Sequence, residues 1–60
     1  MYFIHRKNSN LLSTAVACHQ KLVDAKYDAF FKAWEYDRDM VVTDHFGCKR
    51  HEINLADYED

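Results

Sequence analysis

The residues of this chain best suited to chemistry are its two cysteines and four histidines. His45, Cys48 and His51 recur at every third position, and imidazole and thiolate are good zinc ligands. A turn could converge them, with Cys18, His19 or His5 as a fourth ligand. Structural zinc sites, however, usually show two close ligand pairs, and this chain offers one loose trio. If the segment is a strand pair, the three side chains need not share a face. A polar loop with a small buried cysteine accounts for the same residues, and no metal is assigned.

Cys18 and His19 set a thiol beside a base. Neighbours on a helix point about 100° apart, so the two cannot easily act on one substrate atom. Cys18 reads as a small core residue. His19 reads as a core-edge or helix-contact histidine, whose titration near neutral pH could make self-association pH-sensitive. Asp24 and Asp28 fall on a face that reads as solvated, without the enclosed pocket that separates the pKa values of a catalytic pair. No glycine-rich phosphate loop, zinc-protease helix motif or nucleophile elbow is present. The expectation is a non-enzymatic protein with no catalytic residue and no cofactor.

Charge is the next constraint. The formal net charge is −2 and the pI is near 6.0, which argues against a dedicated nucleic-acid coat or a basic membrane-surface helix. A nucleic-acid-binding regulator is nonetheless the runner-up reading. Lys49, Arg50 and His51 could join Arg6 and Lys7 in one basic patch, with Tyr2, Phe3 or Phe46 stacking on bases. Against it stand Asp39, Asp44 and the acidic residues Asp57, Glu59 and Asp60.

These side chains must be positioned by a small set of elements. Sixty residues make one domain, 1–60, and a chain this short buries only about 60% of its unfolded surface. Disulfides, a metal or oligomerisation are the usual remedies, and two cysteines are too few for a disulfide framework. The composition, 48% hydrophobic and 15% aromatic with one glycine and no proline, is that of a folded protein. The start of the chain does not read as a signal peptide, and no apolar run approaches the roughly 18 residues of a membrane span. A reduced, cytoplasmic protein with no membrane partner is expected.

From Asn8 to Phe46 there is neither glycine nor proline. Leu11, Ala15, Cys18, Leu22, Ala25 and Ala29 recur at steps of four and three, and Leu12, Val16, His19, Val23, Tyr27, Phe30 and Trp34 form a row beside them. This spacing predicts one helix from about Leu11 to Tyr36 or Arg38, roughly 40 Å long. Asn8, Ser9 and Asn10 are its candidate N-caps. Asp28 and Lys32 stand at the favourable i,i+4 spacing.

The remaining segments favour strands. Tyr2–Arg6, Met40–Thr43 and about Lys49–Leu55 are predicted to form a small antiparallel sheet, with Asp44–Gly47 as the turn of a hairpin. The fold class is therefore α+β, one long amphipathic helix on a small sheet. An all-α helical hairpin assembling into a bundle is the alternative, with Gly47 as a helix stop and Lys49–Tyr58 as a second helix.

The aromatic half of the helix carries the functional expectation. Phe30 and Phe31 lie about 100° apart, so both rings are buried only on an unusually wide face. Tyr and Trp suit interfaces, where one end is dry and the other wet. Burying a Phe gains roughly 1.5–3 kcal/mol, so exposed rings favour association. Leu22, Tyr27, Phe30, Phe31 and Trp34 are the predicted interaction residues, and a second copy of the chain or a host protein is the predicted partner. In length and texture, with an aromatic-rich helix and the His/Cys-bearing tail His45-Phe46-Gly47-Cys48, the chain resembles the short early-region accessory proteins of lambdoid bacteriophages. That resemblance implies a modulator of host or phage proteins acting by protein contact, and it transfers no residue roles.

Overall fold

The structure is a computed structural model in which residues 1–7 and 15–58 are described. The β-favouring residues Tyr2–Arg6 form strand β1, Ala17–His19 form β2, and Leu22–Tyr36 form helix α1. Met40–Asp44 form β3 and Lys49–Ile53 form β4, followed by a 3₁₀ turn at Leu55–Tyr58. The fold is α+β, and the helical-hairpin alternative is excluded. All strand pairings are antiparallel, in the order β2-β1-β3-β4.

The helix is shorter than its periodicity predicted, 15 residues starting at Leu22. Leu11, Leu12 and the proposed caps Asn8–Asn10 lie outside the described residues. Ala15 to Lys21 are not helical, and Ala17–His19 pair with Ile4–Tyr2 as an edge strand. Ala15-Val16-Ala17-Cys18 is a continuous apolar run, which fits a helix row and a strand equally well. Pairing with β1 decides between them, because it satisfies backbone groups that β1 would otherwise leave unpaired. Cys18 is therefore exposed rather than a core residue, and Cys48 is exposed too.

Lys21 sits in extended backbone before the helix, and Asp24 places a carboxylate in its first turn, where the helix dipole favours it. Asp37 stops the helix in a left-handed conformation (φ 54°, ψ 46°), a region Asp tolerates better than most residues. Its N–H and that of Arg38 both return to the Ala33 carbonyl. In the β3–β4 turn the Asp44 carboxylate accepts from the N–H groups of Phe46 (2.9 Å) and Cys48 (3.0 Å), and Gly47 takes φ +84°. A register shift between Val42 and Thr43 leaves Arg50 without a paired residue on β3.

The core lies between α1 and one face of the sheet. Ala25, Ala29 and Ala33, all fully buried, form a row of small residues that lets the helix sit close on Ile4, Met40, Val42 and Ile53. Leu55 belongs to this cluster, and the partly buried Tyr2, Val16, Ala17, Leu22 and Phe30 pack against it. The opposite sheet face carries buried His5, Val41 and Thr43, with His5 Nε2 2.9 Å from Thr43 Oγ1.

Candidate functional site

Two rows of α1 point different ways because a helix turns 100° per residue. The alanine row faces the sheet. The neighbouring row, Val23, Tyr27, Phe30, Phe31 and Trp34, leans toward β4 and solvent. Tyr27 is 67% exposed, Phe31 66% and Trp34 46%. Surface apolar residues are ordinary singly, but a contiguous apolar patch marks an interaction surface.

This row forms one wall of an apolar groove of about 530 Å³. Val23, Lys26, Tyr27, Phe30 and Phe31 line it from α1, His51 and Ile53 from β4, and Tyr58 from the 3₁₀ turn. Phe30 organises the rings. Its centroid lies 5.2 Å from Tyr58, 6.0 Å from Phe31 and 6.3 Å from Trp34, each edge to face. Burial, then the nearby Lys26 charge, lowers the His51 pKa below the usual histidine value. The groove therefore presents a neutral imidazole at neutral pH.

Of the predicted interaction residues, the fold brings Tyr27, Phe30 and Phe31 together in the groove. Trp34 stands beside Phe30 outside it, and Leu22 packs against the core on another side of the helix. Among the groove residues outside the predicted interaction set, Ile53, His51 and Tyr58 come from segments whose distance from α1 no local spacing reveals. Val23 was visible in the same row as Tyr27.

The other long flank of α1 is polar. His19 Nε2 lies 2.6 Å from Asp28 Oδ2, and Lys32 Nζ lies 3.4 Å from Asp28 Oδ1. Partial burial raises the Asp28 pKa, but the His19 hydrogen bond and the Lys32 charge outweigh it and hold the carboxyl below its usual value. Asp28 is thus a partly buried tie between α1 and β2, not the solvated residue its position suggested.

The basic residues do not form one cationic patch. Lys7 (3.9 Å) and Lys49 (3.6 Å) both pair with Glu52, and Arg50 pairs with Asp44 (2.9 Å). Arg6 stands apart with Arg38 and Tyr36 at a separate cleft of about 300 Å³. Among the described residues no group of three His, Cys, Asp or Glu side chains is placed to hold a metal ion. His45 stacks on Phe46 at the hairpin (4.0 Å), whereas His51 turns into the groove. No described helix is long and apolar enough to cross a membrane. The chain matches no family model, no curated protein and no solved structure.

Proposed function

We propose that this chain is a non-enzymatic interaction module that self-associates through the aromatic face of α1. One observation carries the reading: Val23, Tyr27, Phe31 and Tyr58 are each about half exposed or more, around a single apolar groove. An aromatic side chain spans about 150–250 Å², so these residues and their neighbours expose several hundred Å² of apolar surface. The whole chain has only 4227 Å². A second copy covers this surface with chemistry of the same kind, and the short length of 60 residues supports a chain that gains stability by association. Modulation of a host or phage protein would use the same face.

The test is the mass in solution. Sedimentation equilibrium from micromolar to millimolar chain should show a monomer converting to a dimer. A clean monomer throughout sinks the proposal.

A further inference from the structure

The cleft at the end of α1 is built by strand register. β1 ends at Arg6, opposite Met40, the first residue of β3, and the Lys7 N–H donates to the Asp39 carbonyl one step beyond (2.9 Å). Residues two apart on a strand share a face, so Arg6 projects to the side of the core residue Ile4, where α1 lies. Arg38 follows the left-handed stop at Asp37, and its Nη1 donates to the Asp37 carbonyl (2.9 Å). The short connection from α1 to β3 therefore brings Arg38 and Tyr36, the last helical residue, to Arg6. Val16, whose N–H donates to the Ile4 carbonyl (2.8 Å), lines the same cleft from the segment before β2.

The arginines of this corner are used differently from Arg50. Arg50 gives Nε (3.0 Å) and Nη2 (2.9 Å) to the Asp44 carboxylate. Arg6 and Arg38 form no ion pair among the described residues, and no described carboxylate lines their cleft. Asp39 is near in sequence, but its Oδ1 accepts the Leu55 N–H (2.9 Å).

We infer that Arg6 and Arg38 form a binding site for a small phosphomonoester whose organic group lies against Tyr36 and Val16. A guanidinium is a planar fork of N–H donors that matches two oxygens of a carboxylate or phosphate. One fork satisfies a carboxylate. Two forks and two positive charges match a phosphomonoester, which carries about −1.5 to −2 charge at neutral pH on three acceptor oxygens. Tyr36, 45% exposed, adds a ring face and a phenol O–H. The last carbonyls of α1 oppose an anion with about half a negative charge, which the two guanidinium charges outweigh. A volume of about 300 Å³ stands at the small end of ligand sites and suits a phosphate bearing a single ring. The cleft shares no lining residue with the aromatic groove, so the inference stands apart from self-association.

The experiment titrates the full chain with phenyl phosphate at low ionic strength, read by calorimetry and by amide shifts in NMR. Inorganic phosphate and benzoate are the comparisons. Phenyl phosphate should bind once per chain in the millimolar range or tighter and move the amides of Arg6, Val16, Tyr36 and Arg38. Benzoate should bind roughly tenfold more weakly, because it leaves one guanidinium without a partner. Inorganic phosphate, lacking the ring, should bind several-fold more weakly. Arg6→Gln and Arg38→Gln should each weaken phenyl phosphate binding roughly tenfold, and since both side chains are exposed, circular dichroism should show an unchanged fold. Arg38→Lys restores the charge but not the fork, and should recover only part of the loss. Affinity should fall below about pH 6, where the phosphate takes up a proton. Absence of saturable binding at millimolar probe, affinity unchanged in both Gln variants, or shifts confined to Tyr27, Phe31 and Tyr58 overturns the site. Benzoate binding as tightly as phenyl phosphate overturns the assignment to phosphate, and inorganic phosphate binding as tightly overturns the part given to Tyr36 and Val16. If a Gln variant fails to fold, the shift map and the pH profile still decide.

Discussion

Toward β2, helix α1 ends in charge; toward β4, it ends in rings. On the first flank His19, Asp28 and Lys32 satisfy one another across short distances. On the second, Tyr27, Phe30, Phe31 and Tyr58 surround an apolar groove that no described residue fills. Both flanks border the same alanine row, so helix packing does not explain the difference. A polar flank is complete once its hydrogen bonds are made, whereas an apolar flank gains free energy whenever something covers it. The β2 flank ties the helix to the sheet, and under the proposed self-association the β4 flank is the one that meets a partner.

The largest effect should come from the row the flanks share. Ala29 is fully buried against the sheet. Ala29→Leu inserts a branched side chain where the helix and sheet are closest, and overpacking of this kind costs about 1–3 kcal/mol. In a chain of this size each 1 kcal/mol shifts Tm by roughly 4–8 °C, so thermal denaturation reads it easily. A change under one degree would mean that the helix does not sit tightly on Ile4, Met40 and Val42, and the two-flank picture would lose its hinge.

The polar flank comes next. Because its groups are partly solvated, removing it with His19→Ala should cost no more than about 1 kcal/mol, seen in urea denaturation. Its pH dependence has a definite sign. The folded pKa of Asp28 lies below the unfolded value, so its contribution is fully present above the unfolded pKa. It is lost as pH falls through the depressed folded value. The stability difference between wild type and Asp28→Asn should therefore be present at about pH 5 and shrink toward pH 3. A difference unchanged at pH 3 contradicts the tie.

How much of this was legible in the sequence differs by element. Tyr2–Arg6 and Met40–Thr43 stood out because β-branched and aromatic residues cluster there over a strand's length, and Gly47 marked the turn between β3 and β4. The start of α1 did not stand out. Ala15 to Cys18 satisfy helical spacing, and only pairing with Tyr2–Ile4, fifteen residues away, makes Ala17–His19 a strand. The same non-local pairing turned Cys18 outward and brought His19 to Asp28. Within the site, Tyr27, Phe30 and Phe31 shared one helix and could be grouped by spacing. Ile53, His51 and Tyr58 joined them only through the antiparallel return of β4. The candidate metal trio is divided for a related reason: His45 lies in the β3–β4 turn against Phe46, whereas His51 lies on β4 in the groove.

The smallest effect on stability should be the most informative about the β4 flank. Phe31 is 66% exposed and meets Phe30 only edge to face at 6.0 Å. Phe31→Ala removes a ring that the monomer barely uses, so monomer stability should move by no more than about 0.5 kcal/mol. Its circular dichroism and melting at low concentration should match the wild type. Association should nevertheless weaken, because the lost ring is surface that only a second molecule covers. Stability and association must be measured on the same variant, since a ring that served the fold would change both together. If Phe31→Ala lowers Tm as Ala29→Leu does and leaves the sedimentation profile untouched, the ring belongs to the core and the contrast between the two flanks collapses. If association falls alone, the boundary between holding the fold and meeting a partner runs along α1 between the alanine row and Phe31.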